Sequence, residues 1–204
     1  MKILCVGRNY ARHAAEMGGP SPSAPVWFWK PESAIVGEGD AVVLPAGVGE
    51  VHHEVELAVR IGKPARRVAG PDGLSHVDAF TVAVDVTARD LQAEAKAKGE
   101  PWARSKGFDT FLPLGTWQPS AGVDLQHLGL RLSLDADVRQ QGSTSDMTWG
   151  VGALVAKASL WTTLKPGDVL LTGTPEGVGP LRNGQAMLAE IPGRVRLQNP
   201  IVAE

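Results

Sequence analysis

The sequence predicts a single domain of the α+β class in which strands predominate. Its 204 residues are enough for one domain with a sizeable hydrophobic core. Short apolar runs bounded by turn residues outnumber the segments with helical periodicity, and the chain has no internal repeat or clear linker. Glycine and proline, with 24 and 15 residues, predict many turns between these short elements.

Three segments have the features of helices. Residues 9–17 predict a helix of about two turns, in which Asn9 serves as the N-cap and Gly18 as the C′ residue. Such a short helix is marginal in water, so it needs docking or a ligand to be stable. Residues 18–25, rich in Gly, Pro and Ser, predict a loop that can act as a hinge. The other two helix candidates are residues 89–99 and 151–164.

The remaining apolar runs predict strands that follow one another at short intervals. They are residues 2–6, 26–29, 41–44, 54–61, 80–86, 128–134, 169–171, 186–190 and 194–197.

Composition excludes several classes of function. The net charge is −2 and no basic stripe is present, so nucleic acid is not an expected partner. No run approaches the ~18 apolar residues of a membrane-spanning helix, and no membrane association is expected. Cys5 is the only cysteine and lies in an apolar run, which predicts a small buried side chain and no internal disulfide. The cytoplasm is therefore the expected location.

Two short motifs contain carboxylates that could bind a metal ion. Glu54 and Glu56 alternate with apolar residues, so in a strand they share one face about 7 Å apart. This pattern is also that of an ordinary half-exposed strand. Asp85 lies inside an almost wholly apolar run, residues 80–87, and is costly to bury unless it is paired or bound to a cation. A structural pair with Arg89 is one interpretation, and a third metal ligand beside the two glutamates is the other. Three carboxylates without cysteine favour Mg²⁺ or Mn²⁺.

Six segments in a fixed order carry a family resemblance that extends over nearly the whole chain. They are GRNYARHAAEMG at 7–18, HHEVEL at 52–57, DVTARDLQ at 85–92, KGFDTFLPLG at 106–115, RQQGSTSDM at 139–147 and LKPGDVLLTGTPEGVG at 164–179. With these segments the sequence resembles the fumarylacetoacetate hydrolase family, in particular its short single-domain members such as bacterial acylpyruvate and fumarylpyruvate hydrolases.

The resemblance implies a fold, an assembly and a set of site residues. The fold is a mixed sheet that forms a roll or sandwich with a few flanking helices, over one domain of residues 1–204, and the assembly is a homodimer. It implies one Mg²⁺ or Mn²⁺ ion per chain. Residues 9–17 correspond to a mobile lid helix. The implied residues are Glu54, Glu56 and Asp85 as metal ligands, His13, Glu16, Lys106 and Gln92 as catalytic residues, and Arg8 and Thr174 as substrate-binding residues.

The resemblance also implies a small keto-acid substrate. The first hypothesis is hydrolysis of the carbon–carbon bond of an acylpyruvate such as fumarylpyruvate, through a pyruvate enolate that the metal stabilises. His13, assisted by Glu16, would activate the water, and Lys106 and Gln92 would stabilise the oxyanion. The alternative on the same residues is decarboxylation or tautomerisation of oxaloacetate, or isomerisation of a hydroxymuconate-type diacid of aromatic catabolism. A non-catalytic metal-binding protein is a third hypothesis, which the intact His13, Glu16 and Lys106 disfavour.

The chain departs from the family pattern at one turn. Leu134-Asp135-Ala136-Asp137 stands where family members usually have an Asn-Gly turn, and both Asp residues suit a hairpin turn. We therefore expect a changed hairpin turn and an intact site.

Overall fold

The structure is a computed structural model and describes residues 1–16, 18–19 and 22–204. Strands predominate, as predicted, and the helices are short. The strands are β1 (Ile3–Gly7), β2 (Val26–Lys30), β3 (Ile35–Val36), β4 (Val42–Leu44), β5 (Val51–His53), β6 (Val55–Ile61), β7 (Val77–Val84), β8 (Thr87–Ala88), β9 (Leu112–Pro113), β10 (Gln118–Pro119), β11 (Gly129–Leu134), β12 (Asp137–Ser143), β13 (Val169–Leu171), β14 (Gly179–Pro180), β15 (Ala186–Ile191) and β16 (Val195–Ala203). The helices are α1 (Ala11–Glu16), α2 (Arg89–Lys98), α3 (Ala103–Lys106) and α4 (Val151–Ser159), with 3₁₀ turns at Glu32–Ala34, Gly70–His76 and Thr144–Asp146.

Two larger sheets pack face to face over the main core. One has the strand order β10-β7-β6-β13-β1-β2 and the other β12-β11-β15-β16-β4. Both are mixed, because β1 runs parallel to β13 and β4 parallel to β16 while their other strand pairs are antiparallel. Apolar side chains of β6 and β7 meet those of β11, β15 and β16 between the sheets. The predicted mostly β roll or sandwich is therefore confirmed.

The central strand β6 is buried on both faces. Val55, Leu57 and Val59 enter the main core, while Ala58 belongs to a second apolar cluster with Cys5 on the opposite side. The interpretation of this segment as a half-exposed strand is therefore wrong. It is wrong because the segments around Ala34 and Leu112 cover the second face of the sheet, which the alternation in one strand cannot reveal.

The predicted continuous strand over 54–61 begins one residue later, at Val55. Glu54 interrupts the pairing, so that β5 joins a small sheet with β8 and β14 while β6 joins the larger sheet. The strand predicted over 80–86 is β7, which ends at Val84 and leaves Asp85 beyond its end. Both carboxylates therefore lie at points where the chain leaves a regular ladder.

The helix predictions hold with shorter bounds. Helix α2 ends as predicted at Gly99, whose φ of 69° is the left-handed geometry of a C-terminal cap. Helix α4 ends at Ser159 and not at 164, since Thr162 and Thr163 are β-branched and Pro166 follows. None of the helices in the described ranges is long and apolar enough to cross a membrane.

Helix α1 begins at Ala11, and the prediction that Asn9 is its N-cap is wrong. The Asn9 side chain instead accepts a hydrogen bond from the Trp149 amide and donates to the carbonyls of Trp149 and Thr172. Gly18 has a φ of 78° and its amide bonds the Ala15 carbonyl, as a C′ glycine does. The predicted end of the helix at Met17 and part of the predicted hinge, Pro20 and Ser21, lie outside the described residues.

Candidate active site

The pairing of β6 with β7 brings the three predicted carboxylates together. Val55 stands opposite Val84 in this antiparallel pair, so the start of β6 meets the end of β7. The Asp85 amide donates to the Glu54 carbonyl over 2.8 Å, which closes the corner. One carboxylate oxygen each of Glu54, Glu56 and Asp85 then lies within 4.8 Å of the other two, and all three residues are buried.

Three cations surround this cluster. The Lys106 ammonium lies 2.8 Å from Glu54 Oε2 and 2.5 Å from Asp85 Oδ2, and also bonds the Thr87 hydroxyl. Arg89 Nη2 lies 2.5 Å from Glu54 Oε1. The sequence offered an ion pair between Arg89 and Asp85 as the structural alternative. Arg89 instead pairs with Glu54. Lys106 was expected to face the substrate, and here its three protons point to the cluster and Thr87.

The third cation, Lys30, leaves one oxygen of Asp85 without a hydrogen bond. Lys30 Nζ lies 2.9 Å from Asp85 Oδ1 but donates to the carbonyls of Val86, Lys106 and Phe111 at 3.0, 2.6 and 2.8 Å. An ammonium has three protons, so these carbonyls use all of them. Asp85 Oδ1 is consequently a buried anionic oxygen with no hydrogen-bond donor in the described part of the chain.

Burial and mutual repulsion act differently on the two glutamates. Burial, followed by the charges of Asp85 and Glu54, raises the pKa of Glu56 well above its usual value. Burial alone would also raise the pKa of Glu54, but the charges of Lys106 and Arg89 outweigh it and lower that pKa well below its usual value. Glu54 thus has its counter-cations in place, while Glu56 forms no ion pair within the described ranges.

The donor set fits a divalent metal ion. Three carboxylates converge, and among the residues that the structure describes one of their buried oxygens has no donor and Glu56 forms no ion pair. Oxygen-only ligands of this kind suit Mg²⁺ or Mn²⁺. The residues that would hold the ion are the predicted trio, Glu54, Glu56 and Asp85.

The predicted pair on helix α1 is formed and faces this cluster. His13 Nδ1 lies 3.2 Å from Glu16 Oε2, and Glu16 also accepts from the Gly177 amide at 3.1 Å. An ionised carboxylate only accepts hydrogen bonds, so Nδ1 carries the proton and Nε2 has its lone pair free. His13 is 5% exposed and lines the same cleft as Glu54 and Glu56. The pair can therefore accept or deliver a proton there.

The cleft collects almost all of the predicted residues. Its wall contains the predicted Arg8, His13, Glu54, Glu56, Gln92, Lys106 and Thr174, together with Val6, Gly7, Phe28, Arg89, Lys96 and Trp102. Asp85 lies beneath the wall and Glu16 behind His13. The free volume is about 20 Å³, room for roughly one water molecule.

Gln92 and Arg8 are two polar residues of the wall whose local geometry is distinctive. Arg89 Nη1 donates to Gln92 Oε1 over 2.7 Å, which leaves the amide nitrogen of Gln92 as the free donor. Arg8 has a φ of 58°, a left-handed conformation that a non-glycine residue adopts at a cost of about 1 kcal/mol or more. Strain of this kind is found where a side chain is held for function.

Sequence reasoning missed Lys96, although a signal for it existed. Arg89, Gln92 and Lys96 are spaced by three and four residues, which places them on one face of α2. Lys96 Nζ lies 5.2 Å from the centre of the Trp102 ring. Burial, together with the charges of Arg89 and Arg8, lowers the pKa of Lys96 to about 8. Lys30 was also missed, and a lysine in the run Val-Trp-Phe-Trp-Lys offers no pattern that marks it as buried.

A mostly β sandwich with a buried carboxylate trio and a histidine–glutamate pair facing it defines a metal-dependent enzyme. The chain belongs to the fumarylacetoacetate hydrolase family, because the family model described as "Fumarylacetoacetate (FAA) hydrolase C-terminal" matches residues 2–202. The resemblance drawn from the six sequence segments is thereby confirmed.

Similar proteins carry the names of different reactions. The chain is 47% identical to a mitochondrial oxaloacetate tautomerase of Arabidopsis thaliana over 97% of this chain and 89% of that protein. It is 42% identical to a mitochondrial oxaloacetate decarboxylase of Dictyostelium discoideum, over 94% and 89%. The crystal structure of fumarylpyruvate hydrolase from Pseudomonas aeruginosa with Mn²⁺ and pyruvate is 36% identical, with a TM-score of 0.96 over 100% and 90%. The family is thus established, and several reactions are compatible with it.

Proposed function

We propose that this protein is a metal-dependent enzyme acting on oxaloacetate, whose enol and keto forms it interconverts. The observation that carries the proposal is the histidine–glutamate pair, whose free His13 Nε2 lines the cleft beside the carboxylate cluster. The names of the tautomerase and decarboxylase relatives support the choice of substrate. Mg²⁺ or Mn²⁺ at Glu54, Glu56 and Asp85 would supply Lewis-acid stabilisation of negative charge on the keto oxygen.

Tautomerisation requires one proton to leave an oxygen and one to reach the neighbouring carbon. His13 Nε2 is the group in the cleft wall with a lone pair suited to that transfer, and Glu16 stabilises the imidazolium that forms. The free amide nitrogen of Gln92 is a donor available to the enolate oxygen, whereas the three protons of Lys106 are already directed to Glu54, Asp85 and Thr87. In decarboxylation the bond to the second carboxylate would break, CO₂ would leave, and the electron pair of that bond would form the enolate of pyruvate in place of the oxaloacetate enolate.

The charges of the wall suit a substrate with two carboxylates. Arg8 and Lys96 line the cleft and form no ion pair with a carboxylate in the described ranges. We assign them, with the hydroxyl of Thr174, to the substrate's carboxylates. A dianion would also restore the pKa of Lys96 towards its usual value, because it would add a negative charge beside a half-buried cation.

Hydrolysis of an acylpyruvate, the first hypothesis from sequence, is the second candidate. It is favoured by the likeness to the fumarylpyruvate hydrolase structure and by a base that can equally activate water. We rank hydrolysis second because the two relatives at 47% and 42% identity are named as an oxaloacetate tautomerase and an oxaloacetate decarboxylase.

One panel of assays tests the proposal. The protein loaded with Mn²⁺ or Mg²⁺ is given enol-oxaloacetate, keto-oxaloacetate and several acylpyruvates. The decay of enol absorbance and the release of pyruvate are followed separately. Faster enol decay without pyruvate supports tautomerisation, and pyruvate from oxaloacetate supports decarboxylation. Pyruvate from acylpyruvates alone would overturn the first proposal in favour of the second. No reaction with any of them would overturn both.

A further inference from the structure

Gln140 is a buried amide that joins the metal-ligand strand to the loop that carries Thr174. It lies on β12 in the second sheet, is 1% exposed, and belongs to neither the metal site nor the cleft wall. Its Oε1 accepts from the Val55 amide at 3.0 Å and from His53 Nδ1 at 2.9 Å. Its Nε2 donates to the Thr174 hydroxyl at 2.8 Å and to the Pro175 carbonyl at 2.9 Å.

These four bonds determine the direction of every hydrogen bond at this point. A backbone N–H only donates and a backbone carbonyl only accepts, so Val55 and Pro175 set the orientation of the Gln140 amide from its two ends. The Gln140 nitrogen must therefore donate to the Thr174 oxygen. Because that oxygen accepts here, the proton of the Thr174 hydroxyl is directed elsewhere, and Thr174 lines the cleft.

The same contacts set the position of the loop relative to the carboxylates. Gln140 bonds the amide of Val55, the residue between Glu54 and Glu56. The Gly173 amide donates to Glu56 Oε2 over 2.6 Å, so the loop is attached to a metal-ligand residue as well. Close packing reinforces this arrangement, since a Cβ on Gly142 of β12 would lie 2.6 Å from Pro175 Cβ.

We propose that Gln140 is a positioning residue that makes the Thr174 hydroxyl a hydrogen-bond donor to the substrate's carboxylate. The inference rests on the function proposed above, in which Thr174 binds that carboxylate. Gln140 itself touches neither the substrate nor the metal. Because Gln140 Nε2 donates to the Thr174 hydroxyl oxygen, the Thr174 hydroxyl cannot donate its proton to Gln140.

The substitution Gln140→Glu reverses this polarity with little change in shape. A carboxylate accepts from Val55 but cannot donate to Thr174, so the Thr174 hydroxyl turns to donate to it. The substrate carboxylate then loses a hydrogen bond to a charged group, and we expect the KM for oxaloacetate to rise roughly 10- to 100-fold. We expect kcat and the affinity for Mn²⁺ to change by less than about 5-fold, because this bond serves binding.

A double-mutant cycle separates this role from a structural one. Thr174→Val should raise KM by a similar factor, and the combination with Gln140→Glu should raise it no further. Thr174→Ser should keep a near-normal KM in the presence of Gln140 and lose it beside Gln140→Glu. Gln141→Glu is the matched control, since it adds the same charge at the neighbouring, exposed position of β12 and should leave KM unchanged.

Several outcomes would overturn the inference. If the two substitutions act independently, their factors in KM multiply in the double variant, and the link between Gln140 and Thr174 is removed. A fall in kcat at unchanged KM would remove it too. If Thr174→Val leaves KM unchanged, the role proposed for Thr174 fails. If only Gln140→Glu leaves it unchanged, the function stands and this inference fails. Should circular dichroism show that Gln140→Glu is unfolded, Gln140→Met replaces it, with an expected rise in KM of about 3- to 10-fold because Thr174 can then rotate freely.

Discussion

The carboxylate corner and helix α1 hold the two halves of the candidate active site in opposite ways. The corner lies at the meeting point of β6 and β7, with buried residues on every side. Helix α1 has six residues, of which only His13 and Ala14 are buried, and the bond from Gly177 to Glu16 is one of its few attachments. Clustered carboxylates repel one another and need a buried corner to stay together, whereas His13 lies on a helix in which the four residues other than His13 and Ala14 are exposed.

This difference also bears on access to the cleft. A free volume of about 20 Å³ does not admit a keto acid, so side chains or α1 must move for substrate to enter. The mobility of residues 9–17 stays a prediction. The contrast teaches that metal affinity and turnover should respond separately to changes in the two regions.

The largest effect is expected from removing a charge in the corner. Asp85→Asn should lower Mn²⁺ affinity at least ~100-fold and abolish most turnover, because it removes one negative charge and one carboxylate oxygen from the three-carboxylate cluster. Electron paramagnetic resonance of added Mn²⁺ measures the affinity. Asp168→Asn, at another buried carboxylate, is the control and should bind Mn²⁺ normally. Unchanged Mn²⁺ binding in Asp85→Asn would remove this residue from the metal site.

A smaller effect, confined to turnover, is expected on the helix. His13→Ala should reduce kcat at least ~100-fold, since general acid–base catalysis is lost, while Mn²⁺ affinity changes by less than about 3-fold. His127→Ala is the matched control, because His127 forms the same kind of pair with Asp124 but is exposed. A parallel loss of metal affinity in His13→Ala would contradict the separation of the two regions.

A third prediction concerns Asp168, the residue that directly precedes strand β13. Asp168 accepts from the amides of Lys2 and Lys165 and pairs with the Lys2 ammonium beside β13. Asp168→Asn should lower the free energy of unfolding by about 1–3 kcal/mol at pH ~7, as urea unfolding measures. Activity per folded molecule should not change.

The effect of Asp168 should depend on pH with a definite sign. Burial alone would raise the pKa of Asp168, but the bonds from Lys2 and Lys165 outweigh it and lower the pKa in the folded protein. The stability it contributes is therefore fully present above the unfolded pKa of about 3.9 and is lost as pH falls through the lower folded pKa. The difference in the free energy of unfolding between wild type and Asp168→Asn should therefore disappear in that acid range. A difference that stays constant there would contradict the lowered pKa of Asp168.

The smallest effect is expected at the turn before Gln140. Asp135 and Ala136 have φ values of 56° and 97°, the left-handed geometry of a two-residue hairpin turn, so the segment forms a turn, and its difference from the family's turn stays a prediction. Ala136→Gly should raise the free energy of unfolding by about 0.5–1 kcal/mol, because glycine relieves the strain at positive φ. Ala97→Gly, on the exposed face of helix α2, should lower it by about 1 kcal/mol. Destabilisation by Ala136→Gly would show that this turn is not strained.

The sequence by itself determined the family, the fold class and the residues that form the candidate site. For Glu54, Glu56 and Asp85 the local pattern left ordinary structural roles open, and the family resemblance identified them as one metal-ligand set. His13 and Glu16 were identified through the family motif, and their spacing of three residues, which places both on one helical face, is consistent with it. These inferences depend on local pattern and on the resemblance, and neither requires knowledge of how distant segments pack.

Only the tertiary structure decided which groups neutralise and orient those residues. Lys30 and Gln140 come from different elements, and their contacts with the site span long separations in sequence. The break at Glu54 and the burial of both faces of β6 likewise follow from the segments that cover the sheet. Local sequence sets the period of a strand, whereas burial, charge pairing and hydrogen-bond direction depend on neighbours that only the folded chain supplies.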